Sequence, residues 1–146
     1  MYENLKTLVD VIYNSKERFP DKVFLQYKDS ANKFQPISYK EFVAFMESLS
    51  ASLYDIGVRK GDKIGFISDN SYKWLITDMA IQSLGAADVP RGSDSTASEI
   101  SYILNHSDSK FCIAEDPEQV NKILTEYDKF SGIKDFIILF GKIEDI

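Results

Sequence analysis

A single cysteine, a single histidine and four prolines are all that this 146-residue chain holds of the residues that most often mark disulfides, metal sites and chain breaks. Cys112 alone cannot close an internal disulfide, and one Cys with one His cannot build a zinc site. Set in the apolar run Lys110-Phe111-Cys112-Ile113-Ala114, it reads as a small buried strand residue, not a nucleophile or redox switch. Long apolar runs are missing too. The longest, Phe136 to Phe140, is far too short to cross a bilayer, and the N-terminal MYENLKTLVD lacks the apolar core of a signal peptide. Lys and Arg are dispersed, the densest patch being the short Gly57-Val58-Arg59-Lys60-Gly61-Asp62-Lys63, and the net charge is −6. That balance argues against direct nucleic-acid binding.

The seven glycines fall at 57, 61, 65, 85, 92, 132 and 141. They form neither G-x-G-x-x-G nor G-x-x-x-x-G-K-[ST], so the two best-known phosphate cradles are absent. No G-x-S-x-G elbow supports a Ser-His-Asp hydrolase. His106 falls at an expected helix C-terminus, where an imidazole interacts well with the helix dipole, and general-base work is the weaker reading. Asp69 and Asp88 lie near the expected C-terminal ends of strands, as does the phospho-acceptor of a receiver domain, but the paired early acids of that fold are missing. Helix capping is the simpler role for Asp69. Trp74, on an apolar helix face, reads as core.

Present instead are 44% hydrophobic and 13% aromatic residues, enough for one globular core. Leu5, Leu8, Val9 and Ile12 have helical spacing that breaks at Phe19-Pro20-Asp21. Val23 to Tyr27 and Lys33 to Ile37 predict a hairpin around Asp29 to Asn32. Ser38 and Glu41 form a capping box for a helix whose face is Phe42, Met46, Leu49, Leu53 and Ile56, closed by Gly57. A strand over Lys63 to Ile67 leads to a helix capped by Asp69 or Asn70 and stopped at Gly85. A short strand holds Val89, and a second capping box, Thr96 with Glu99, starts a helix bearing Ile100, Ile103 and Leu104. Lys110 to Ala114 is a strand, Asp116-Pro117 opens a helix bearing Val120, Ile123, Leu124 and Tyr127, and Asp135 to Phe140 predicts a strand buried on both faces. From Ser38 onward helix and strand alternate, which predicts an α/β fold with a mainly parallel sheet flanked by helices, preceded by an N-terminal helix and β-hairpin.

The loop Arg91-Gly92-Ser93-Asp94-Ser95 is the remaining candidate site. A helix beginning at Thr96 presents free amides that attract anions, and Arg91 adds a forked cation, whereas Asp94 opposes an anion placed close by. On these residues alone a structural turn outweighs anion contact.

The order of motifs resembles the opening of the adenylate-forming (AMP-binding) enzymes. It runs through Ile37-Ser38-Tyr39-Lys40-Glu41-Phe42, the stretch from Leu53 to Ile64, Ser68-Asp69-Asn70-Ser71-Tyr72-Lys73-Trp74 and Leu84-Gly85-Ala86-Ala87-Asp88-Val89-Pro90. Asp88-Val89-Pro90-Arg91-Gly92-Ser93-Asp94-Ser95 is similar to the long-chain fatty acid–CoA ligase branch. The resemblance implies that residues 1–146 are the incomplete first part of the large N-terminal domain of an acyl-CoA synthetase-like fold. It implies a cytoplasmic parent that uses ATP, Mg2+, a long-chain fatty acid and coenzyme A, with peripheral membrane contact and a homodimer left open. The family's Ser/Thr/Gly-rich phosphate loop, T-S-G-T-T-G-x-P-K, does not occur in these residues. No catalytic or metal-binding residue therefore carries over, no cofactor is expected to bind tightly, and the isolated chain is expected to be inactive. Arg91, Gly92, Ser93, Asp94 and Ser95 are implied to face the side from which coenzyme A approaches. A stand-alone α/β nucleotide- or anion-binding module and a self-associating scaffold piece stay open as alternatives.

Overall fold

A computed structural model of the chain describes residues 5–130 and 132–145, which leaves residues 1–4 of the N-terminal stretch, residue 131 and the final residue 146 outside. The chain divides into two compact units, Met1–Val58 with Ser71–Leu84, and Arg59–Asn70 with Gly85–Ile146.

The first unit holds three helices and a hairpin. Helix α1 (Leu8–Arg18) is capped by Thr7, whose hydroxyl accepts from the Asp10 amide while the Asp10 carboxylate accepts from the Thr7 amide. Strands β1 (Val23–Lys28) and β2 (Phe34–Ser38) pair antiparallel, with Asn32 at a φ of 59° in the connecting turn. The Asp29 carboxylate organises that turn by accepting from the amides of Ala31 and Lys33. Helix α2 (Tyr39–Asp55) starts on the expected Ser38–Glu41 capping box and buries Phe42, Val43, Met46 and Leu53. Gly57 follows at a φ of 106°, the left-handed backbone that suits a residue without Cβ. Phe24 packs on Tyr39 and edge-on to Phe42, at centroid distances of 4.7 and 4.8 Å. Helix α3 (Tyr72–Ser83) joins α2 through the hydroxyls of Ser50 and Ser83, 2.6 Å apart. Tyr72 also stacks on Tyr27 at 4.2 Å.

The second unit is a four-stranded, wholly parallel sheet in the order β4-β3-β5-β6, made of β3 (Lys63–Ile67), β4 (Ala87–Arg91), β5 (Phe111–Ala114) and β6 (Asp135–Ile138). Helices α4 (Ala97–His106) and α5 (Pro117–Leu124) cover one face. There Ile67, Cys112 and Ala114 meet Ile100, Leu104, Val120 and Ile123, all essentially removed from solvent. Ile64, Phe66, Phe111 and Ile113, whose side chains alternate with these, are buried as well, so β3 and β5 are central strands shielded on both faces. Burial pushes the Cys112 thiol up to about 12, which makes it the inert core residue its setting suggests. The Gly57–Asp62 segment is a structural turn. Asp62 accepts from the Arg59 amide at 2.8 Å and from Lys110 Nζ at 2.5 Å, and the Lys110 ammonium holds its carboxyl below the usual range.

Several expectations shift in detail. The cap of α3 is Ser71, which accepts from the Trp74 amide, and not Asp69 or Asn70. Ile56 and Tyr127 are 45% and 63% exposed, because each lies past the last helical turn where the apolar stripe has rotated away from the core. Trp74 is half-buried. Strand β6 is half-buried rather than sealed, as an edge strand with one paired neighbour.

Gly65 is where the sheet and α4 come closest. A Cβ built there would overlap Leu104 Cδ2 and lie 3.6 Å from Cys112 Sγ. Gly65→Ala is expected to lower stability by about 1–3 kcal/mol, seen as a reduced urea midpoint at unchanged slope. Leu104→Ala removes the obstructing atoms, so the double variant should lose less than the sum of the two single changes.

Candidate functional site

Parallel strands in register bring their C-terminal ends to one edge, where loop residues converge. Ile67 pairs with Arg91 across β3 and β4, and with Ala114 across β3 and β5. The residues just beyond, Asp69, Arg91 to Ser95 and Glu115, are thereby neighbours. Asp88, expected near a strand end, lies instead in the N-terminal half of β4 opposite Ile64.

The loop is tied from three directions. Asp69 Oδ1 accepts from the Ser93 amide at 3.1 Å, and the Asp69 amide donates to Glu115 Oε2 at 3.1 Å. From α5, Lys122 Nζ donates to the Ser93 carbonyl at 2.6 Å and to the Ser95 carbonyl at 3.1 Å. The Ser95 amide closes a turn on the Gly92 carbonyl at 3.1 Å. At Gly92 a Cβ would sit 2.7 Å from Asp94 Oδ1 and 3.8 Å from Asp69 Oδ1, so the missing side chain makes room for two carboxylates. The hydrogen bond from Ser93, helped by the Lys122 ammonium, holds the Asp69 carboxyl below its ordinary range.

The start of α4 is occupied by its own carboxylate. Glu99 accepts from the Thr96 amide at 2.9 Å and from the Thr96 hydroxyl at 2.7 Å, while Thr96 Oγ1 accepts from the Glu99 amide at 3.3 Å. Thr96 thus keeps the Glu99 carboxyl low, with a smaller push from the Arg91 charge. The amides of Ser93, Ser95 and Thr96 are therefore engaged within the protein, and the Glu99 carboxylate held at this helix end answers part of its anion-attracting potential. An open depression of about 590 Å3 remains on the outer side, lined by Arg91, Ser95, Ser98, Glu99 and Tyr102. The Tyr102 ring is 66% exposed and stacks parallel on His106 at 5.6 Å, with His106 ending α4 as expected. The groove offers one guanidinium, two serine hydroxyls and the ring and phenol of Tyr102, opposed by one carboxylate.

The expected residues Arg91, Gly92, Ser93, Asp94 and Ser95 do lie together. Lys122 and Glu115 had no local signal, since only the fold brings them to the loop from 27 and 46 positions away along the chain from Ser95 and Asp69. Among the described residues no group of three or more His, Cys, Asp or Glu could hold a metal ion, and no helix is long and apolar enough to cross a membrane.

Lys122→Met and Asp69→Asn should each speed hydrogen exchange at the Ser93 and Ser95 amides severalfold while leaving β3 and β5 protected. Because the folded pKa of Asp69 is depressed, its contribution is complete above the unfolded value of about 3.9 and fades as pH falls through the lower folded value. Denaturation titrations between neutral pH and about pH 3 should therefore show a shallower acid loss for Asp69→Asn than for the parent sequence.

Residues 12–140 match the family model described as AMP-binding enzyme. A long-chain-fatty-acid–[acyl-carrier-protein] ligase, AEE15, from Arabidopsis thaliana is 31% identical over 94% of this chain and 19% of its own length. Long chain acyl-CoA synthetase 3 of the same plant is 28% identical over 97% of the chain and 22% of its own. The chain thus spans about a fifth of the length of the curated relatives it matches. The solved structure of a long-chain-fatty-acid–CoA ligase, FadD1, from Archaeoglobus fulgidus superposes with a TM-score of 0.82 at 20% identity, over 94% of this chain and 28% of that one, a likeness of fold. With the parallel sheet, the hairpin and the ordered series of capped turns, the match over residues 12–140 shows that the chain belongs to the AMP-binding enzyme family.

Proposed function

We propose that residues 1–146 are the incomplete first part of the N-terminal domain of an ATP-dependent acid–thiol ligase. Its parent would join a long-chain fatty acid to coenzyme A through an acyl-adenylate, in the cytoplasm. The observation that carries the long-chain assignment is that relatives aligned over nearly the whole chain are named for long-chain acyl substrates. An acyl-carrier-protein thiol in place of coenzyme A is the second reading, favoured by the name of one of those relatives.

ATP and Mg2+ do not fit the residues present. The described residues form no metal-binding cluster, and the sequence contains no T-S-G-T-T-G-x-P-K loop to wrap the phosphates. No step of adenylate formation is therefore assigned to these side chains. Coenzyme A fits better, and only at its nucleotide end. Arg91 can pair with a phosphate and Tyr102 can face a base, whereas Asp94 and Glu99 discourage deeper entry of an anion. In this reading Gly92, Ser93 and Ser95 shape the wall of the approach, and Lys122 and Asp69 hold that wall in place.

The isolated chain, incubated with ATP, Mg2+, a long-chain fatty acid and coenzyme A, should release no pyrophosphate above blank. Turnover here would sink the fragment reading. Joined to the downstream sequence of its own reading frame, it should give acyl-CoA, and Arg91→Ala should raise the KM for coenzyme A about tenfold with little change in the KM for ATP.

A further inference from the structure

The carboxylate at the start of α4 supplies more than its cap requires. A capping box needs an acceptor three residues past the cap, and glutamine serves there as well as glutamate. Glu99 fills that place, accepting from the Thr96 amide at 2.9 Å and from the Thr96 hydroxyl at 2.7 Å. These bonds hold its carboxyl below the ordinary range, so the group is ionised at neutral pH. They also fix where the charge stands. The hydrogen bonding itself would survive without that charge.

Its setting gives the charge a second role. Glu99 lines the depression of about 590 Å3 with Arg91, Ser95, Ser98 and Tyr102. The Arg91 charge reaches the Glu99 carboxyl, although no salt bridge joins the two among the described residues. The guanidinium is left to bind a ligand, but in a groove whose lining carries no net charge.

For an anion near both side chains, attraction and repulsion each grow in proportion to the charge of the anion. A compact, highly charged ion such as pyrophosphate therefore gains little from Arg91 while Glu99 shares the groove. A ring laid on Tyr102 escapes this balance, because stacking on an aromatic face does not depend on net charge. Tyr102 is exposed, and its parallel stack on His106 at 5.6 Å holds the plane of the ring.

We infer that Glu99 is a specificity-determining residue: it withholds the groove from bare phosphate anions and leaves it to a nucleotide, which brings a base to Tyr102 along with its phosphate. Selection of this kind works by a built-in repulsion, in addition to any favourable contact. The inference rests on the reading of this groove as the approach for the nucleotide end of coenzyme A, and adds what that approach rejects. Such an enzyme has a use for it, since adenylate formation releases pyrophosphate into the same solution, where a purely cationic groove would collect it.

Calorimetric titration of the 146-residue chain at about 50 mM salt tests it, with pyrophosphate and adenosine 3′-phosphate as separate probes. The unaltered chain should take the nucleotide weakly, and pyrophosphate about tenfold more weakly still. Glu99→Gln keeps the capping box. It should tighten pyrophosphate about tenfold but the nucleotide only about two- to threefold, with the thermal melt nearly unchanged. Adding Arg91→Ala should cancel that gain. Glu99→Asp keeps both charge and box, as Asp10 does in α1, and should bind as the unaltered chain does. Asp94→Asn removes an equal charge from a residue outside the groove lining, and should gain at most about twofold. Equal pyrophosphate affinity in the unaltered chain and Glu99→Gln, or an equal gain from Asp94→Asn, would overturn the inference. Nucleotide binding without a pyrophosphate gain would overturn it and leave the coenzyme A reading intact. A pyrophosphate gain with no nucleotide binding to either protein would uphold the role of Glu99 and defeat the coenzyme A reading instead.

Discussion

Leu104 rests in the space that a side chain at position 65 would fill, and this close approach governs the second unit. With a Cβ on β3, α4 would have to stand off from the sheet, and Ile100 and Leu104 would lose their contacts around Ile67 and Cys112. Because α4 is seated there, its first turn at Thr96 is placed relative to the end of β4 at Arg91, and the intervening loop has few paths open to it. Asn105 then secures the far end of the helix by donating to the Lys129 carbonyl at 2.7 Å. The fold determines the site through packing first and hydrogen bonds second.

Those hydrogen bonds decide what the loop can offer. A glycine-containing turn ahead of a helix has the outline of a phosphate cradle, yet here carboxylates from Asp69 and Glu99 already take amides of the loop and of Thr96, and Lys122 takes two carbonyls. Asp69, Asp94, Glu99 and Glu115 outnumber the nearby cations Arg91 and Lys122. An incoming anion would be repelled at the backbone and tolerated only on the outer side, beside Arg91 and Tyr102. A loop of this kind acts as a wall, rigid because its polar groups are satisfied.

Local chemistry made much of this legible in the amino-acid sequence. The capping boxes of Ser38 with Glu41 and of Thr96 with Glu99, and the Asp116-Pro117 start, are contacts within three or four residues, and each appears where the spacing placed it. The alternation of helix and strand led to the parallel sheet by the same logic. Where a contact spans the chain, spacing was silent. Asp69 had an adequate local role as a helix cap, but Ser71 fills that role and leaves Asp69 to Ser93 in the next loop. Lys122 carries no local signal for its partners, the Ser93 and Ser95 carbonyls, which only the fold brings to it. Thr7 with Asp10 was legible in principle, since a threonine followed three residues later by an acid is a capping pair, although an apolar stripe beginning at Leu5 pointed to an earlier start. Exposure at Ile56 and Tyr127 was beyond periodicity, because it depends on where the last turn stops.

Cys112 has a practical side. With its thiol buried in the sheet and pushed up to about 12 by that burial, Cys112 is held as the neutral thiol, so alkylating and fluorescent reagents will scarcely touch the folded chain. Cysteines introduced on the surface can then be labelled without removing the native one. When the central strands part, the same sulfur becomes reactive, so the chain carries its own chemical clock for the opening of its sheet.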